Sequence, residues 1–127
     1  MRRATGDCAA AARDLERALG IYRDLGHRGG EAEALNERGT LHRVTGEVAR
    51  AEECHRQALD LARQIGSSWD EAHALAGLGR CALAADQATR AQALLRQALE
   101  IFQQTGAGDA AGAACELAAL IGAGPPA

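Results

Sequence analysis

The sequence predicts an all-α fold, a solenoid of antiparallel helix pairs with a period of 40 residues. A gap-free slide by 40 lays Gly39 on Gly79, Ala51 on Ala91, Ala58 on Ala98, Leu59 on Leu99 and Gly66 on Gly106. The reverse slide lays Gly46 on Gly6, Ala51 on Ala11, Ala58 on Ala18, Leu59 on Leu19 and Gly66 on Gly26. Self-similarity at a fixed period marks a repeat architecture. Apolar residues recur at spacings of three and four, and no stretch alternates with period two for long, so strands are not expected. Aromatics are 2% of a chain that is 47% hydrophobic. Alanine and glycine must therefore do much of the packing, which favours close helix–helix approach.

The elements follow in order. Residues 1–6 align with the tail and turn of a helix whose body is absent, so the chain is expected to come from a longer protein or a truncated frame. Residues 7–25 form a helix with Cys8, Ala11, Leu15, Ala18, Leu19, Tyr22 and Leu25 on one face. Gly26 ends it, and His27-Arg28-Gly29-Gly30 reads as a loop. Residues 31–45 form the opening helix of a full unit, with Glu31 and Glu33 suited to the positive end of its dipole. Gly39 in its middle costs about 1 kcal/mol against alanine. Its recurrence at Gly79 points to a close crossing.

The closing helix of that unit, 47–65, turns Val48, Ala51, Cys54, Ala58, Leu61, Ala62 and Ile65 inward, and Gly66 stops it. Ser68 and Glu71 have the spacing of a capping box for a helix over 69–84. Asp86 replaces the turn glycine and is expected to cap the next helix, 87–105. A sixth helix is expected from Asp109 to about residue 120, and Gly122, Gly124, Pro125 and Pro126 end all order. The division is thus a partial unit 1–26, full units 27–66 and 67–106, a terminal helix 107–121 and a disordered tail 122–127.

Composition excludes several functions. The net charge is −3 and all 14 basic residues are arginine; with neither a basic stripe nor stacking aromatics, direct nucleic-acid binding is not expected. No 18-residue apolar run could span a membrane. Asp7, Arg13 and Asp14 break any signal-peptide core. A cytoplasmic location is the expectation. The four cysteines show no CxxC spacing and fall on apolar register positions, so they read as buried free thiols. His27, His42, His55 and His73 do not converge, and Cys54 and His55 point about 100° apart on a helix. No metal site, cofactor or catalytic motif is predicted, and an enzyme is not expected.

One family pattern fits these positions. Gly39, Gly46, Ala51 and Ala58, and again Gly79, Ala91 and Ala98, with Leu35 and Leu75 ahead of them, resemble the tetratricopeptide repeat. Gly6, Ala11 and Ala18 fit as a partial unit. The departures are a 40-residue spacing where about 34 is usual, Arg38 where an apolar residue is usual, Arg63 in place of a closing proline, and His42 and Ala82 in place of tyrosine. The spacing would also suit a HEAT-type array, but the paired glycines and alanines favour the tetratricopeptide reading. The stretches at 41–66 and 74–102 also look like the C-terminal repeats of actinobacterial transcriptional regulators of the antibiotic-regulatory type.

The resemblance implies a right-handed superhelix whose opening helices line a concave groove that binds a protein or peptide. The groove positions are then Glu33, Asn36, Glu37, Thr40, Arg43, His73, Arg80, Leu83 and Glu116. Only Asn36, Arg43 and Arg80 could join the carboxylate clamp of chaperone-binding members, so that clamp is not expected. Two other roles stay open, a sensing segment of a larger signalling ATPase and a homo-oligomerising structural module. For the latter, the absent first helix should leave a strip on helix 7–25 uncovered, rimmed by Leu15, Leu19 and Tyr22.

Overall fold

Left-handed residues punctuate the chain every 20 positions: Gly26 (φ 69°), Gly46 (φ 90°), Gly66 (φ 70°) and Asp86 (φ 62°). At each, the next residue's N–H reaches five residues back, from His27 to the Tyr22 carbonyl (2.9 Å), Glu47 to His42 (2.7 Å), Ser67 to Ala62 (2.9 Å) and Gln87 to Ala82 (2.8 Å). This closes the helix with a Schellman-type turn, which needs one residue in the left-handed region. The same residue then caps the next helix: the carbonyls of His27, Glu47, Ser67 and Gln87 accept from Glu31, Ala51, Glu71 and Ala91. One connector is thus used four times.

A computed structural model describes residues 2–105. It contains α1 (Arg2–Leu25), α2 (Arg28–Val44), α3 (Val48–Ile65), α4 (Ser68–Ala84) and α5 (Ala88–Thr105). No strand occurs among the described residues. α2 pairs with α3 and α4 with α5; α4 also lies on α3 and touches α2, and α1 packs on α2. These are stacked antiparallel pairs, an α-solenoid. The sixth predicted helix lies outside the described residues.

Several boundaries differ from expectation. α1 runs through Gly6 without a turn and begins at Arg2, not at Asp7. α2 begins at Arg28, not after a glycine loop, because the His27 Nδ1 accepts the Gly30 N–H at 2.8 Å. Gly30 is also required there, since a Cβ would enter the Tyr22 ring. The cap of α4 is Ser67, not Ser68: its Oγ accepts from the Asp70 N–H (3.2 Å) and donates to the Asp70 carboxylate (2.9 Å). Glu71 instead pairs with Arg63 (3.2 Å), repeating the Arg23–Glu31 pair (2.9 Å) one unit earlier. Asp86 supplies the left-handed residue, and the cap position falls to Gln87.

The core is built from small residues. Ala51, Ala58, Ala91 and Ala98 are fully buried at matching register positions. The crossing at Gly39 is made by the ring of His55, whose Nε2 would lie 2.6 Å from a Cβ there; at Gly79 the Leu95 side chain lies 2.7 Å from the same point. Residues 55 and 95 are themselves 40 apart, so one knob-on-glycine contact recurs. Leu19 is a core residue, 1% exposed, with Leu15 and Tyr22 packed against the same cluster. Leu19 therefore does not rim an open strip, because it packs into the core, while Leu15 and Tyr22 keep part of their surface exposed. Cys54 and Cys81 are buried free thiols with their pKa raised by burial, and Cys8 is half-buried.

Two substitutions at the connectors should shift stability in opposite directions. Gly46→Ala places a Cβ in the left-handed region and is expected to cost about 1 kcal/mol. Asp86→Gly relieves the same strain and should gain somewhat less than about 1 kcal/mol, because glycine also loosens the unfolded chain. Urea unfolding of both variants beside the parent chain measures this.

Candidate functional site

The concave face of α2 and α4 encloses a cavity of about 290 Å³, lined by Glu33, Asn36, Glu37, Thr40, His55, Trp69, Asp70, His73, Gly77 and Arg80. Helical spacing explains why these residues meet: positions 33, 36, 37 and 40 share one face of α2, and 70, 73, 77 and 80 share one face of α4. Six of the nine predicted groove residues come together here, namely Glu33, Asn36, Glu37, Thr40, His73 and Arg80. Arg43 and Leu83 are not among the lining; Arg43 is half-buried and Leu83 is exposed. Glu116 lies outside the described residues.

The floor is His55, which the sequence reading did not place in the groove. It is 2% exposed, and all of its ring lies between Gly39 of α2 and Gly77 of α4, either of which would clash with it if it carried a Cβ. Its Nδ1 meets the Asn36 Oδ1 at 2.8 Å. Since Oδ1 can only accept, Nδ1 carries the proton and Nε2 keeps its lone pair. That Nε2 is buried without a hydrogen-bond partner. Asn36 also donates to the Asp70 carbonyl (3.4 Å), tying α2 to the start of α4.

Burial, and secondarily the positive charges of Arg43 and Arg80, pushes the His55 pKa down to about 4. The imidazole is neutral at pH 7. The sequence held one signal of this role: His55 stands where sister units carry Leu15 and Leu95, a polar residue in an apolar register.

Trp69 and Asp70 also enter the site without having been predicted. Trp69, His73 and Phe102 form an aromatic cluster with ring centroids 4.5 Å (Trp69–His73), 5.7 Å (Trp69–Phe102) and 5.2 Å (His73–Phe102) apart, all near edge-to-face. Phe102 is buried, so α5 fixes the ring of Trp69 at the edge of the groove. Two polar residues at positions expected to be apolar or tyrosine find polar partners away from the groove: Arg38 meets Glu16 of α1, and the His42 Nδ1 lies 3.1 Å from the Glu47 carboxylate. No group of three metal-ligating side chains gathers among the described residues.

Stacked helix pairs, a recurrent glycine–knob contact and a cavity between successive opening helices are the marks of one repeat family. A tetratricopeptide repeat model matches residues 30–104, more than half of the chain. The chain belongs to the tetratricopeptide repeat family. No curated protein matches it. Tetratricopeptide repeats are generally protein-interaction modules and typically non-catalytic scaffolds. In this member each helix has 17 or 18 residues in the matched span. A unit of 40 exceeds the usual ~34 by six residues, so each helix and its connector gain three, nearly one turn at ~3.6 residues. Among the described residues no helix is long and apolar enough to cross a membrane.

The buried imidazole makes stability depend on pH. The folded-state pKa lies below the unfolded one, about 6.5, so the unfolded chain takes up the proton first as pH falls. The contribution of His55 is full above about 6.5 and is lost as pH falls towards 4, a change on the order of 3 kcal/mol. His55→Leu, which copies Leu95, should flatten this dependence. Urea unfolding of both chains at pH 7 and pH 5 provides the measurement.

Proposed function

We propose that the chain is a non-catalytic interaction module that holds a segment of a partner protein in the α2–α4 groove. The observation that carries this reading is the convergence of polar side chains from two successive opening helices on one cavity with a buried, unsatisfied floor. A buried acceptor without a donor is costly. The resemblance of residues 41–66 and 74–102 to repeats of antibiotic-regulatory-type regulators supports a finer reading. In it, the module serves a cytoplasmic transcriptional regulator and does not itself touch nucleic acid.

One observation favours self-association as a second reading. Val44 is 63% exposed, and with Leu41, Cys8, Ala9 and Ala12 it lines a cavity of about 560 Å³ between α1 and the end of α2. A chain that stays monomeric by light scattering at all concentrations overturns this second reading.

A steric block tests the groove. Thr40→Tyr, at an exposed groove position, should abolish capture of proteins that co-purify with the chain from its native host, with the thermal melt unchanged. Gln97→Glu, exposed on α5, should leave capture intact. A partner retained equally by both variants removes the groove from the function.

A further inference from the structure

We infer that the groove takes a basic segment, seating a lysine or arginine side chain among Glu33, Glu37 and Asp70 beside Trp69. This rests on the groove reading above and adds the chemistry of the occupant.

Three carboxylates without an ion pair among the described residues, Glu33, Glu37 and Asp70, converge on the groove, whereas the others without one (Asp14, Asp24, Asp60, Asp86 and Glu100) are not in its lining. Nine glutamates lie in the described residues. Six are ion-paired: Glu16, Glu31, Glu47, Glu52, Glu53 and Glu71. Glu33 and Glu37 are exposed on the cavity wall with no ion pair among the described residues, and they sit four apart on α2. Like charges at that spacing repel by a few tenths of a kcal/mol, a cost that a bound cation would reverse. Asp70 of α4 lines the same cavity, and its carboxylate accepts a hydrogen bond from a neutral hydroxyl, Ser67 Oγ.

His55 is the independent observation. Its Nε2 is a lone-pair acceptor, buried, unpartnered and on a ring that lines the cavity. The unspent hydrogen-bonding capacity of Glu33, Glu37 and His55 is thus all acceptor. The side chains built to satisfy it are an ammonium, with three donors and no acceptor, or a guanidinium, with five. Trp69 adds an aromatic ring, which attracts the same cations.

Arg80 is the one arginine among the lining residues. It is ten residues beyond Asp70, about 15 Å along α4 and past a Debye length at physiological salt. An anionic segment held by Arg80 would meet Asp70 at the other end of α4 and Glu33 and Glu37 on the facing wall.

Trp69 is the chain's single tryptophan and reports on the site directly. The probes are end-blocked nonapeptides of glycine and serine carrying three arginines, three lysines or three glutamates. The arginine and lysine peptides should shift Trp69 emission and bind at least tenfold more tightly than the glutamate peptide, with affinity falling as NaCl rises. Glu33→Gln/Glu37→Gln should weaken the arginine peptide at least fivefold at an unchanged melting temperature. Asp60→Asn/Glu100→Gln, with the same net charge but altered on α3 and α5, should bind as the parent does.

No emission shift with either basic peptide at millimolar concentration overturns the inference. So does equal weakening by the two double variants, which would mark net charge and not the site. Tight binding of the glutamate peptide that Thr40→Tyr abolishes would keep the groove and reject the basic occupant. Binding of the arginine peptide that Thr40→Tyr leaves intact would reject both.

Discussion

Three helices meet at one imidazole. The ring of His55, carried by α3, fits between α2 and α4 only because Gly39 and Gly77 present bare backbone to it. Leu95 repeats half of this arrangement against Gly79. A glycine inside a helix is unfavourable by about 1 kcal/mol, so the chain gives up helix propensity at each crossing and gains close packing. Fully buried alanines at 51, 58, 91 and 98 extend the contact. A core of this kind has little bulk to spare, and its shape depends on what is absent from the side chains as much as on what is present.

The connectors convert that pairing into an array. Because each turn places one left-handed residue ahead of a capping residue, all four connectors close with the same pair of backbone hydrogen bonds. The 20-residue spacing of Gly26, Gly46, Gly66 and Asp86 therefore fixes which face of α2 looks toward which face of α4. The groove is a result of this regularity: faces one unit apart line up, and their polar residues converge without any loop to carry them. Surface pairs such as Arg23–Glu31 and Arg63–Glu71 brace successive helices across the connectors, each worth under about 1 kcal/mol in exposed settings.

Much of this could be read from residue order. The 40-residue register located five helices, and the resemblance to the repeat family put Glu33, Asn36, Glu37, Thr40, His73 and Arg80 on the face where they are found. Local capping was less legible. His27 replaces a serine-like cap with a ring nitrogen, and the competing serines at 67 and 68 differ only in which can reach the Asp70 N–H. Leu19 could not be assigned from one helix alone, since its burial is decided by how α2 lies on α1. His55 was visible as an oddity, a polar residue in a leucine register. Its partners, Asn36 on one helix and Gly77 on another, are joined to it by packing and not by spacing.

Gly77 aligns with Glu37 in the preceding unit, whereas Gly39 aligns with Gly79. The glycine at 77 thus belongs to His55 and not to the repeat. Residues 55 and 77 form a matched pair within the repeat pattern, and each constrains what the other can become. A lineage that keeps histidine at 55 must keep glycine at 77, while one that reverts to leucine is free to regain a side chain there. Descendants of this chain should carry that linkage as correlated change at two positions 22 apart.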